Sequence, residues 1–366
     1  MTPLSFATAG CYFCSDFQSA RAGFLAAAER CSSVFAHREW SLPGQAQALI
    51  TDAIWLGDER ATRALVLISG THGIEGYAGS AVQTFLLDSL ASGQLVLPRD
   101  LGLLIVHALN PWGMHWARRC DQNGVDLNRN FIDFTQVPTV DTHYAKILEQ
   151  LSLESPVLAR RALRKLADHW GQRRFDELFS GGQYQASWAP FYGGHEASFA
   201  SRLIDELIAH WSLAKRELIV VDLHTGLGPW AFGELISDHP SSSAANSYAR
   251  ALFGDAIAVT AEEASSSVPK HGLLDYRWHQ LMQERGCFLT LEFGTYRTDS
   301  LFDVLLADHL FWRDWSLRCE PTLSDPAYAR QRQAMLGHFC PGDSLWQQSV
   351  LFKAWQVVQR VCEAGQ

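Results

Sequence analysis

The sequence predicts an α/β fold: a doubly wound, mixed and mostly parallel sheet flanked by helices. Three observations carry that reading. Short, unbroken runs of branched apolar residues at 64–69, 103–107, 217–223 and 287–291 read as strands buried on both faces. Segments with apolar residues at helical spacing alternate with those runs. Three of the runs are followed within a few residues by histidine or glutamate and by glycine. That is where an open α/β sheet places its ligands.

Residues 16–36 read as a helical stretch, with Phe24, Leu25, Ala28 and Cys31 on one face and Ser15 or Asp16 as the cap. Residues 48–56 read as an early strand. After the run at 64–69, residues 78–90 form a helix, with Val82, Phe85, Leu86 and Leu90 at helical spacing. Ser155-Pro156 is a cap followed by a first-turn proline, opening a helix that runs to about Trp170. Its Arg160, Arg161, Arg164 and Lys165 read as a solvated face, with a rim for acidic substrates as the lesser reading. Residues 196–211 form another amphipathic helix, and 256–259 a short strand. Residues 300–315 and 344–363 are late helices; Leu351, Trp355, Val358 and Cys362 share a face of the last. There is no internal repeat and no low-complexity linker. The Ser-rich patch 265–267 lies in a loop, 261–271, that reads as surface or as a lid.

With 366 residues, 47% hydrophobic and 19% charged, the chain can bury a large core in one or two domains. A net charge of −9 argues against a nucleic-acid partner, which needs a basic face. No polybasic run suggests a membrane surface, and no apolar stretch approaches the ~20 residues of a spanning helix. The first residues lack a basic region followed by an apolar one, so no secretory signal is expected. Eight cysteines are too sparse for a disulfide framework and fit a reducing cytoplasm, the expected location. Cys11-x-x-Cys14 has no partner pair and reads as structural.

The chemistry lies in four segments. His72 and Glu75 stand in a Gly-rich turn after the first buried run, close enough in sequence to reach one ion. His224, at the end of another strand, offers a third ligand; two imidazoles and a carboxylate are a set that catalytic zinc uses. In the loop 118–131, Asn128 and Arg129 suit a carboxylate, Asp126 could orient a histidine ligand, and Arg119 could face an oxyanion. Glu292 ends a third buried strand, where a carboxylate needs a partner or a task such as general base. Each segment has a plainer reading on its own: a strand-end histidine bonded to backbone, a surface arginine cluster, a salt-bridged glutamate. Trp112, Trp116 and Trp230 lie beside these segments; packing is favoured over lining a pocket.

In that order, His-x-x-Glu, Asp-x-Asn-Arg-Asn-aromatic, a strand-end His and a late Glu on an apolar strand, residues 45 to 300 resemble the carboxypeptidase A family of zinc peptidases. They are also similar to its deacylase relatives of the succinylglutamate desuccinylase and aspartoacylase type. Within that group they most resemble an uncharacterised bacterial branch known as a domain of unknown function. The resemblance implies a zinc-carboxypeptidase-like, phosphorylase/hydrolase-like sheet and one zinc ion on His72, Glu75 and His224. It implies Glu292 as general base, Arg119 for the oxyanion, Asn128 and Arg129 for a substrate's terminal carboxylate, and Asp126 behind the first histidine. Arg118 adjoins Arg119, and either can fill the oxyanion place. Tyr276 matches a family substrate-binding tyrosine by position only, and packing on the core fits it equally. The division then expected is a helical extension at 1–44, a zinc-hydrolase domain at 45–315 with an insert near 135–200, and a helical extension at 316–366. The Gly- and Tyr-rich turns at 180–184 and 191–196 either wall the cleft or are ordinary loops. The implied activity is hydrolysis of an amide in a peptide, with deacylation of an N-acyl amino acid as the alternative and a non-catalytic metal-binding scaffold as the third. The implied partners are a peptide or a small acylated amino acid; the oligomeric state is left open.

Overall fold

The computed structural model describes residues 6–137, 142–153, 155–259, 268, 270–316 and 322–364. The loop 261–271, anticipated as surface or lid, lies mostly outside them. Its strands are β1 (Val34–Ser41), β2 (Ile50–Leu56), β3 (Arg63–Ser69), β4 (Leu101–His107), β5 (Glu217–Gly226), β6 (Gly233–Ser237), β7 (Ile257–Val259) and β8 (Gly286–Gly294). They form one mixed sheet in the order β1-β2-β4-β3-β5-β8-β6-β7. The central β4, β3, β5 and β8 run parallel. β2 and β6 flank them antiparallel.

The helices are α1 (Phe17–Arg30), α2 (Gly76–Ala91), α3 (Pro111–His115), α4 (Thr142–Leu151), α5 (Pro156–Trp170) and α6 (Gln172–Ser180). They continue with α7 (Phe199–His210), α8 (Ala244–Phe253), α9 (Leu274–Met282), α10 (Thr298–Ser316), α11 (Pro326–Phe339) and α12 (Ser344–Glu363).

The unbroken apolar runs are explained by burial on both faces of the sheet. Leu65 and Leu67 of β3 enter one apolar layer with α1, α2 and α12. Ala64, Val66 and Ile68 point the other way, into a layer with α7 and α9. Each fully buried Leu or Val contributes about 1.5–3 kcal/mol against exposure, so the central strands tolerate little polar substitution. A third apolar cluster joins Ile74 and Met114, in turns at the carboxyl edge, to α4, α5, α6, α10 and α11. These helices roof that edge. Trp112 and Trp116 belong to the roof, packing with Trp312 at ring distances of 5.6 and 5.8 Å.

The site's location follows from topology. The chain leaves β3 for β4 through α2 on one face and reaches β5 from β4 through α7 on the other. β3 and β5 are neighbours, so a crevice opens between their carboxyl ends.

The helical stretch expected over 16–36 is shorter in the structure. Asp16 caps α1 by accepting the Ser19 N–H at 2.9 Å, and the helix stops at Arg30. Residues 34–41, expected as helix and extension, form edge strand β1. Its side chains are mostly exposed or half-buried, so no apolar run marks it. The sequence reading also leaves out β6 and helices α3, α4, α6, α8 and α9, which are short or amphipathic; α11 falls in the extension expected to be helical at 316–366. Seven of the cysteines, Cys11 and Cys14 among them, are free thiols.

Candidate metal centre and substrate cavity

Past Ser69 the chain turns, and His72 opens a single 3-10 turn, Gly73–Glu75, that runs straight into α2. Gly73 has no substitute: a Cβ there would lie 2.1 Å from the Gly113 carbonyl carbon. Glycine therefore lets the turn press against α3. On β5, Asp222 and His224 share a face, as alternate strand residues do. His224 aligns with Glu292 across the β5–β8 ladder.

These elements bring His72, Glu75 and His224 together, all buried. His72 Nδ1 lies 2.9 Å from Glu75 Oε1, and His224 Nδ1 lies 3.0 Å from Glu75 Oε2. The two Nδ1 atoms are 3.1 Å apart. Behind each ring stands a carboxylate. His224 Nε2 is 2.6 Å from Asp222 Oδ2, and His72 Nε2 is 3.3 Å from Asp126 Oδ1. Asp222 is in turn fixed by the Thr71 hydroxyl at 2.8 Å. Glu75 Oε2 also accepts the Thr225 N–H at 3.0 Å.

Charge follows from that packing. Burial by itself would raise the Glu75 carboxyl, but the His72 and His224 imidazoles hold it well below the usual carboxylate range. Burial by itself would lower His224, but Asp222 and Glu75 hold it well above the usual imidazole range. Asp126 is buried too, and Arg119 and His72 keep it ionised. Glu292 moves the other way, to about 7, through burial and the nearby Glu75 charge.

The donor set fits a divalent cation. A carboxylate stands behind each Nε2, which favours metal binding through Nδ1, and both Nδ1 atoms face the Glu75 carboxylate. Among the described residues, three clusters bring three or more ligand atoms within 4.8 Å of one another, and this cluster is the one that is wholly buried. A cation entering it would displace the proton held on His224.

The cluster opens on a cavity of about 610 Å³ lined also by Arg119, Asn128, Arg129 and Glu292. Arg119 donates through Nε to Asp126 Oδ2 at 2.8 Å and lies 3.4 Å from Glu75 Oε1 through Nη1. Arg118 turns away, donating to Asp308 Oδ2 at 3.0 Å with its guanidinium over Trp312. Glu292 Oε1 accepts the Leu227 N–H at 2.9 Å. Asn128 Oδ1 accepts the Leu274 N–H at 2.8 Å, tying the cavity wall to α9. Arg129 donates Nε and Nη2 to the Ser180 carbonyl at 3.0 and 2.7 Å, and Nη1 to the Asn128 carbonyl at 2.6 Å. The turn at 180–184 thus reaches the site.

Tyr276 is not brought to the cavity. It sits on the outward face of α9, 40% exposed, with its hydroxyl donating to the Lys270 carbonyl at 2.7 Å. Trp112, Trp116 and Trp230 do not line the cavity either; Trp230 lies near the surface against Tyr296. The apolar wall is instead Phe175, Phe179, Phe191, Phe302 and Phe339. Phe191 has a left-handed backbone (φ +59°), uncommon for a bulky residue. Its ring lies under the guanidinia of Arg119 and Arg129, at 5.2 and 5.3 Å.

Sequence reasoning gives Asp222 no role and reaches Phe191 and Lys270 only as members of the turn 191–196 and the loop 261–271, without singling them out. The spacing Asp222-x-His224 on a strand is a usable signal for the first. Lys270 lines the cavity, and burial lowers it to about 8. Its loop reads as surface or as a lid, but nothing in the sequence singles out the lysine within it.

The chain is similar to carboxypeptidase A from Helicoverpa armigera, with 14% identity, a TM-score of 0.52, and 100% of this chain and 76% of that one covered. It is similar to the succinylglutamate desuccinylase from Chromobacterium violaceum at 18% identity and TM-score 0.38, covering 82% of this chain and 76% of that one. It is similar to the murein-tripeptide amidase MpaA from Escherichia coli O157 at 18% identity and TM-score 0.38, covering 81% and 97%. The first likeness shows a carboxypeptidase-like fold. No curated protein matches the sequence. A family model described as protein of unknown function, DUF2817, spans residues 13–353, and the chain, sheet and buried His-Glu-His cluster included, belongs to that family.

Proposed function

We propose that this protein is a metal-dependent hydrolase that cleaves an amide bond in a carboxylate-bearing substrate, as a carboxypeptidase does. The observation that carries the reading is the convergence of both Nδ1 atoms and the Glu75 carboxylate at one cavity, with Glu292 one strand away. His72, Glu75 and His224 would hold one zinc ion with a coordination position left open. Bound there, the ion supplies Lewis acidity toward water and toward a carbonyl.

The chain's own residues supply the rest. Glu292 Oε1 is held by the Leu227 N–H, so Oε2 is the atom that takes a proton from the attacking water. A carboxyl near 7 can accept that proton and return it to the leaving nitrogen at neutral pH. Arg119, fixed by Asp126, offers positive charge to the oxygen that becomes negative. Arg129 has five N–H groups; three go to the carbonyls of Ser180 and Asn128. Among the described residues that leaves one on each Nη for a carboxylate to accept. The phenylalanine wall suits an apolar side chain beside that carboxylate. A cavity of about 610 Å³ suits a small molecule or the last residues of a peptide.

Arg164 and Lys270 on the same cavity favour a second reading, deacylation of an amino acid carrying an acidic acyl group. Release of C-terminal residues from peptides, set against hydrolysis of N-acyl amino acids, separates the two. For both, Glu292→Gln should cut kcat by about 10²–10⁴ while zinc content stays unchanged. Undiminished turnover in that variant rejects Glu292 as the base.

A further inference from the structure

A second cluster of ligand atoms lies outside the site just described. His239 follows the end of β6, and Asp275 and His279 stand four residues apart on α9. That spacing puts the last two on one helix face. The Nε2 atoms of His239 and His279 face each other. One ligand atom from each of the three residues lies within 4.8 Å of the others.

Asp275 is the informative member. It is 2% exposed, and neither carboxylate oxygen has a hydrogen-bond partner among the described residues. Burying a carboxylate without a partner costs several kcal/mol, so the fold should either protonate it or answer it with a cation. A hydrogen bond between two neutral imidazoles would account for the histidines, but Asp275 would then need a proton of its own. A cation accounts for all three.

We propose that His239, Asp275 and His279 form a second divalent-metal site, with a preference for zinc or a neighbouring transition ion. Two nitrogens and one oxygen suit those ions better than calcium or magnesium, which take oxygen ligands. The site joins β6 to α9. β6 walls the first cavity through Ile236, Asp238 beside His239 lines it too, and the first turn of α9 is held to Asn128, another lining residue. A metal here would clamp that wall from behind. The two sites share no residue, so they stand or fall separately.

The test is metal stoichiometry on the intact protein. Protein stripped with a chelator, dialysed against zinc and washed should hold two equivalents. Asp275→Asn and His279→Gln should each hold one, and His72→Gln should keep the equivalent that those two lose. One equivalent in the parent chain that survives Asp275→Asn, or two equivalents in Asp275→Asn, overturns the proposal. Should the variants misfold, crystals of the parent chain soaked in zinc decide it. An anomalous-scattering peak among the three side chains supports the site; its absence overturns it.

Discussion

His107 should make this protein sensitive to mild acid. It ends β4, is fully buried, and stacks on Phe24 at a ring distance of 4.3 Å. Its Nε2 meets the Ser80 hydroxyl at 2.9 Å, and its Nδ1 has no partner among the described residues. Burial therefore pushes it down from 6.5 to about 4. In the unfolded chain it titrates near 6.5. Between those two values the unfolded state carries a proton that the folded state refuses, so stability rises with pH across that window. The contribution is fully present above about 6.5 and is lost as pH falls toward 4. At 1.36 kcal/mol per pK unit that difference is about 3 kcal/mol over the whole window, and about 2 kcal/mol by pH 5. Urea unfolding of the parent chain and His107→Gln at pH 7, 6, 5 and 4 isolates this term from the other buried histidines. The variant should start less stable at pH 7 and lose less on acidification, so that the two curves converge. Parallel curves would refute the reasoning.

Two further outcomes follow from the site. Asp222→Asn removes the charge behind His224 and should weaken zinc binding at the buried cluster about 10–100-fold, read by competition with a chromophoric chelator; a change under twofold would clear Asp222 of that role. Arg129→Lys keeps the charge and loses the fork. It should raise KM for substrates with a free carboxylate about tenfold or more with little change in kcat, whereas their C-terminal amides should not discriminate between the two enzymes; an unchanged KM would remove Arg129 from substrate binding.

What the sequence made legible was the part whose physics is local. Central strands buried on both faces must be apolar without interruption, and β3, β4, β5 and β8 stand out for that reason. His72, Glu75, His224 and Glu292 are legible because they interrupt or end such runs. Edge strand β1 has no buried face to advertise, and its neighbour α1 has a pattern that runs past its real end. Asp222 hid inside an apolar run, where one buried carboxylate looks like noise until Thr71 and His224 are seen around it. Tyr276 shows how little position alone decides. Its place in the chain suggested substrate, yet on α9 the inward positions belong to Leu274, Asp275 and Trp278, so Tyr276 is left facing out.

The same contrast bears on which question the fold answers. The candidate metal cluster is assembled at the carboxyl ends of β3 and β5: His224 lies in the β5–β8 ladder, and His72 and Glu75 lie in the turn that follows β3. The cavity wall comes from α5, α6, α10 and α11 and from the turns at 180–191, all added around that sheet. Phe175, Phe179 and Phe302 pack on one another at 5.0 to 6.2 Å and owe nothing to the ladder. On the proposed function, reaction type and substrate choice would therefore be carried by different segments. Exchanging the phenylalanines should shift preference among substrates while leaving the cluster of His72, Glu75 and His224 intact, because no backbone bond of that cluster passes through them.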